Sequence, residues 1–207
     1  VRAIEPLPHH FSVCSDQSSQ YASSLLLGAA SVAHRLGRVC TVRVEGARVS
    51  EGYLQMTVRW LRAAGFEVSG QGELAVRWAG LRPLPPLPGD WSSLGYLLLI
   101  AWACEGRVTR LSDPALHPDG AIIPALASVG LTVREDGRVI GALHGGLELS
   151  ARGCPDSIPT LAALACVLPQ PSRFHDCGIL RGKESDRVEG ILALARAAGA
   201  SVALEGD

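Results

Sequence analysis

Long hydrophobic runs are missing from this 207-residue chain: the longest, Leu94 to Cys104, falls well short of the roughly 20 apolar residues that a membrane-spanning helix needs. Its first residues hold no basic stretch followed by an apolar one, so the sequence reads as untargeted and cytoplasmic, with no membrane partner. Excess charge is missing too. A formal net charge of -1 gives no long-range field for gathering nucleic acid or anionic lipid, so any anion recognition must come from a few local residues. Paired metal-type spacings are absent as well. The six cysteines (Cys14, Cys40, Cys104, Cys154, Cys166, Cys177) contain no C-x-x-C and lie mostly in apolar runs, as expected of reduced, buried thiols. The six histidines, His9-His10 included, show no H-x-x-x-H spacing, so no metal is expected. What is present is apolar material: 47% hydrophobic against 19% charged residues excludes disorder and suffices for one domain or two small ones.

Helical periodicity and turn signals return in the same order three times, which predicts an α/β (α+β) fold of repeated βαβαββ modules. The first unit reads as a helix from Ser18 to Ala33, a strand Val39 to Val44, a helix Ser50 to Ala64 stopped at Gly65, and strands at Phe66–Val68 and Leu74–Trp78. The second reads as a helix Leu94 to Cys104 after Asp90-Trp91-Ser92-Ser93, a strand Arg107 to Leu111, and a helix Asp119 to Val129 stopped at Gly130. Its hairpin turns at Asp136-Gly137, a pair that tolerates the positive φ of a tight turn. The third reads as a helix Pro159 to Leu168, a strand Arg173 to Cys177, a helix Glu184 to Ala198 stopped at Gly199, and a last strand Val202–Leu204. Between the first and second units, Leu81-Arg82-Pro83-Leu84-Pro85-Pro86-Leu87-Pro88 is stiff and reads as a domain crossing, giving domains 1–83 and 84–207.

Several helix starts suit anions. Ser18-Ser19-Gln20 opens an apolar helix, where free backbone N–H groups and the positive helix end can meet a phosphate or carboxylate, although plain capping by serine is the simpler account of this segment taken alone. Ser50 has the same ambiguity. In Lys183-Glu184-Ser185-Asp186-Arg187, cations stand where the helix dipole disfavours them, which calls for an anion nearby, either a ligand or Glu184 and Asp186 themselves.

These segments carry a resemblance. Ser18-Ser19-Gln20-Tyr21, Gly89-Asp90-Trp91-Ser92-Ser93, Asp156-Ser157-Ile158-Pro159-Thr160 and Lys183-Glu184-Ser185-Asp186-Arg187 are similar, in order and spacing, to the S-S-Q-[FY], G-D-x-S-S, D-x-x-x-T and K-E-[ST]-D-R segments of the 5-enolpyruvylshikimate-3-phosphate synthase family. The resemblance covers the middle half of a family member. It implies a two-domain inside-out barrel of βαβαββ modules, three of them present: one from the first domain and two from the second. It also implies transfer of the enolpyruvyl group of phosphoenolpyruvate to the 5-hydroxyl of shikimate 3-phosphate, with release of phosphate and no cofactor. Carried over by position, Ser18, Ser19 and Gln20 hold shikimate 3-phosphate, Ser50 and Tyr53 line the same pocket, Lys183 contacts the shikimate substrate and Arg187 the phosphoenolpyruvate. Asp156 takes the proton of the attacking hydroxyl and Glu184 serves the enol carbon, with Lys183 in the same catalytic group.

Departures from the family pattern matter as much. Ile179 stands where the family usually has an asparagine that bonds the shikimate substrate, and the family's lysine–serine–arginine segment and two further cations have no counterpart here. Two readings therefore stand: part of a transferase completed by modules on more polypeptide or another chain, or a non-catalytic anion-binding or assembly module of the same fold. The sister transferase acting on UDP-N-acetylglucosamine shares the fold but fits S-S-Q and K-E-S-D-R less well. Uncovered sheet edges and apolar helix faces predict self-association of the isolated chain.

Overall fold

The computed structural model describes residues 8–16, 18–46 and 50–206, which divide into two compact units, up to Leu87 and from Pro88 onward. Unit 1 runs β1 (His10–Cys14), α1 (Ser19–Leu36), β2 (Cys40–Glu45), α2 (Glu51–Ala64), β3 (Phe66–Ser69) and β4 (Glu73–Trp78). Its sheet has the order β1-β2-β4-β3, with β1 parallel to β2 and the other pairs antiparallel. Ala22, Leu26, Ala29, Ala30 and Ala33 recur at helical spacing on one stripe of α1 and meet Leu54, Val58 and Leu61 of α2 over Cys40, Val42, Val68 and Val76 of the sheet. Because each helix follows one of two parallel strands, α1 and α2 run the same way. Ser23 and Thr57 join them through a 2.9 Å hydroxyl hydrogen bond, so their starts lie at one end of the unit. Gly65 ends α2 at φ 104°, and a Cβ there would lie 1.7 Å from the Gly80 carbonyl oxygen, so only glycine fits.

Unit 2 runs α3 (Trp91–Ala103), α4 (Ile122–Ser128), the hairpin β5 (Thr132–Val133) and β6 (Val139–Ile140), β7 (Glu148–Ser150), α5 (Ile158–Ala165), β8 (Arg173–His175) and α6 (Arg187–Ala197), with short 3-10 turns at Pro114–Leu116, Pro118–Ala121 and Cys177–Leu180. Trp91, Leu94 and Leu98 of α3, Ile122 and Leu126 of α4, and Leu161 and Leu164 of α5 form its main core. A second cluster, Ala151, Ile158, Leu180, Val188 and Leu192, seats α6 against α5. β7 pairs with β8 in parallel.

Unit 2 departs from the sequence reading in several places. No strand forms over Arg107–Leu111: Arg107 makes an isolated bridge to Arg138, and Arg110 at φ 62° breaks the extension. Val202–Leu204 forms no strand and pairs with no other strand among the described residues. The helix expected from Glu184 begins at Arg187, because the Asp186 carboxylate caps it by accepting the N–H groups of Val188 and Glu189. The helix expected over Asp119–Val129 splits into a 3-10 turn and α4, and the one over Pro159–Leu168 is α5, ending at Ala165. Strands β1 and β7 are additions. Of the six thiols, all free, only Cys40 and Cys154 are buried, and Cys14 and Cys104 are exposed. No described helix is long and apolar enough to cross a membrane.

Candidate active site

Each unit gathers one set of the expected residues. In unit 1, the Ser18 hydroxyl accepts the Gln20 N–H at 3.2 Å and so caps α1, an 18-residue helix with no acidic residue in its first turn. Ser19 is buried and Gln20 exposed. At the start of α2, Ser50 holds φ 57° and ψ 41°, left-handed backbone that costs a non-glycine residue about 1–2 kcal/mol. Its buried Oγ has no hydrogen-bond partner among the described residues, and Tyr53 follows half-buried in the first turn of α2. Ser50 thus combines a strained backbone with an orphaned hydroxyl, the latter a feature it shares with buried Thr160 of α5.

Unit 2 brings together groups that stand 31 residues apart in the chain. Arg187, the first residue of α6, donates from Nη1 to Asp156 Oδ1 at 2.5 Å and from Nη2 to Glu184 Oε2 at 2.9 Å. Lys183, half-buried on the bend before α6, makes no ion pair or hydrogen bond among the described residues. The four side chains sum to zero charge, so the anion that the Lys183–Arg187 segment called for is supplied by the chain's own carboxylates. The hydrogen bond from its own backbone N–H, followed by that of Arg187, holds the Glu184 carboxyl below the usual range. Burial works against the charge of Arg187, but Asp156 and Glu184 outweigh it and push its pKa up. Next to Asp156, Ser157 occupies the cap position of α5 without capping it: its hydroxyl donates to Asp119 at 2.7 Å. Asp119, fully buried, was legible in the sequence only as a helix start.

Cys154 lies two residues before Asp156 and is buried. Burial first, then the charges of Asp119 and Asp156, push its thiol up to about 11. In the native chain at pH 8, a disulfide reagent is expected to modify exposed Cys14 and Cys104 and to spare Cys154, which reacts once the chain is denatured. The native thiol keeps its proton where an unfolded thiol, ionising near 9.0, has lost it, so stability falls as pH rises from about 9 toward 11. Rapid native modification of Cys154 would contradict this.

The sequence profile of the EPSP synthase (3-phosphoshikimate 1-carboxyvinyltransferase) family matches residues 8–207. The chain belongs to the EPSP synthase family. It is 34% identical over 198 residues to the 3-phosphoshikimate 1-carboxyvinyltransferase of Methanopyrus kandleri, covering 91% of this chain and 44% of the relative. With the enzyme of the same name from Aeropyrum pernix it shares 35% identity over 186 residues, 84% of this chain and 41% of the relative. The 3-phosphoshikimate 1-carboxyvinyltransferase of Bordetella parapertussis is 28% identical over 190 residues, 83% of this chain and 42% of the relative. The chain thus spans less than half the length of these curated relatives.

Proposed function

We propose that the chain carries part of the site that transfers the enolpyruvyl group of phosphoenolpyruvate to the 5-hydroxyl of shikimate 3-phosphate. The observation that carries this reading is the Asp156–Arg187–Glu184 cluster with Lys183 beside it, in a member of this family. In the addition, Asp156 takes the hydroxyl proton as the oxygen bonds to C2 of phosphoenolpyruvate, and C3 gains a proton from the Glu184 and Lys183 side. In the elimination, C3 returns a proton, the C2–O bond to phosphate breaks, and phosphate leaves. Glu184, with its depressed pKa, starts as the carboxylate and suits the second step. It serves the first once an anionic substrate draws Arg187 away from it. Ser18, Ser19, Gln20, Ser50 and Tyr53 are the groups proposed for shikimate 3-phosphate, whose oxygens would satisfy the orphaned Ser50 hydroxyl.

The finer architecture belongs to the same proposal: three βαβαββ modules of a two-domain inside-out barrel, residues 1–83 from one domain and 84–207 from the other. Further modules, on more polypeptide or another copy, would supply the cations that are lacking. Tyr96, Leu97 and Ile100, exposed on α3, support such an association. A second reading, a non-catalytic anion-binding or assembly module, draws on Ile179, which is packed against the Leu180–Val188 cluster and offers no polar contact.

The test is phosphate release from shikimate 3-phosphate and phosphoenolpyruvate together. Under the catalytic reading, Asp156→Ala lowers the rate by roughly 10²–10⁴-fold. Binding of both ligands with no phosphate release, in the chain supplemented with the remaining family segments, would establish the non-catalytic module instead.

A further inference from the structure

We infer that Asp119 is the positioning residue of the proposed site, acting through Ser157 on Asp156 and thereby on Arg187. The inference rests on the function proposed above. Asp119 is fully buried, and its two oxygens are taken by different helices: Oδ2 accepts the hydroxyl of Ser92, in the first turn of α3, and Oδ1 accepts that of Ser157 at the start of α5. The carboxylate therefore sits against the positive ends of two helices, which is what makes a buried negative charge tolerable there. Serine at a helix cap normally accepts a backbone N–H. Ser157, 1% exposed, gives up that role and spends its hydroxyl on Asp119.

The geometry around this carboxylate is further constrained. His117 places Nδ1 3.7 Å from Asp119 Oδ2 and Nε2 3.6 Å from Asp90, the cap of α3, while His117 Nδ1 accepts the Asp119 backbone N–H at 3.1 Å. Gly120, the next residue, has no room for a side chain, since a Cβ would lie 2.0 Å from the Pro114 carbonyl oxygen. Asp119 is thus clamped on its own backbone and holds the hydroxyl of Ser157, the residue next to Asp156. From there Asp156 holds Arg187 by the 2.5 Å bond. The effect of Asp119 is the aim of Asp156, exerted through the Ser157 hydroxyl.

The experiment uses the full chain and reads the rate at which phenylglyoxal modifies Arg187, followed by mass spectrometry, with Arg181, paired to Asp186, as the internal reference. In Ser157→Ala and in Asp119→Asn, Arg187 is expected to become roughly tenfold more reactive, as befits loss of a hydrogen bond to a charged group, while Arg181 keeps its rate. Ser157→Thr, which retains the hydroxyl, should restore the original rate, a rescue that general loosening would not give. Phosphoenolpyruvate affinity, measured alongside, should fall with the rise in Arg187 reactivity. Unchanged Arg187 reactivity in the folded variants overturns the inference. Should Asp119→Asn fail to fold, Ser157→Ala decides alone. If phosphoenolpyruvate does not bind even the unaltered chain supplemented with the remaining family segments, the proposed function fails, and the Arg187 rates still judge the role of Asp119.

Discussion

Replacing Arg187 by alanine is expected to weaken phosphoenolpyruvate binding by roughly 30-fold or more, the effect of losing about 2–5 kcal/mol when one partner of a desolvated charge contact is truncated. Arg187 is suited to that role because its side chain is only 22% exposed and its two terminal nitrogens reach two different carboxylates. A carboxylate and phosphate on one ligand can replace that pair of partners. Lysine in its place keeps the charge but not the fork, so Arg187→Lys should recover only part of the affinity. Arg187→Ala also has a cost in the free chain, where Asp156 would lose its Arg187 partner. With both groups in partial contact with water, that cost is about 1–2 kcal/mol. Glu184 would lose the second largest cause of its depressed pKa, and its carboxyl should titrate closer to the ordinary value. Calorimetric binding of phosphoenolpyruvate checks the first expectation, and unchanged affinity in Arg187→Ala would remove this residue from the site.

Trp91→Ala is expected to cost unit 2 about 3–5 kcal/mol, the usual loss on truncating a buried indole. Trp91 is 1% exposed at the head of α3, within the main core of unit 2. Its indole N–H donates to Ser112 Oγ at 3.1 Å, and the same oxygen accepts the Gly89 N–H at 3.0 Å, so the side chain also fixes the loop leading into the helix. It therefore holds the segment whose next residue, Ser92, bonds Asp119. Trp91→Phe keeps most of the apolar contact and loses the hydrogen bond, and should cost about 1–2 kcal/mol. Urea unfolding followed by circular dichroism measures both, and a loss under about 1 kcal/mol for the alanine variant would show that the core refills the space.

Local chemistry was readable from sequence where it acts over a few residues. Gly65 at a helix end, Asp136-Gly137 in a hairpin and Ser18 before an apolar helix each state their own conformation, and α1, α2, β3, β4 and the β5–β6 turn follow from them. What was missed depends on partners far along the chain. β1 alternates Phe11 and Val13 inward with His10, Ser12 and Cys14 outward, a weak pattern in five residues that becomes a strand because β2 lies alongside 31 residues later. β7 is three residues long and exists only through β8. Conversely, Val108 and Thr109 read as strand by composition, yet Arg110 turns left-handed and the extension stops. The site shows the same division. The motif residues could be named through their resemblance to the family's segments, but the pairing of Asp156 with Arg187 and the burial of Asp119 between two helix starts are tertiary facts with no local signature.

The core around Leu26 and Val42 and the core around Trp91 and Leu126 have no residue in common. The stretch between them carries Pro83, Pro85, Pro86 and Pro88, whose missing N–H groups bar it from extending either unit's hydrogen-bonded structure. Stability is set locally by packing, so each unit carries a core of its own. A truncation at Trp91 removes packing from the core of unit 2. The effect of a core substitution is read first against the unit whose core contains it, before any melting midpoint of the whole chain is interpreted.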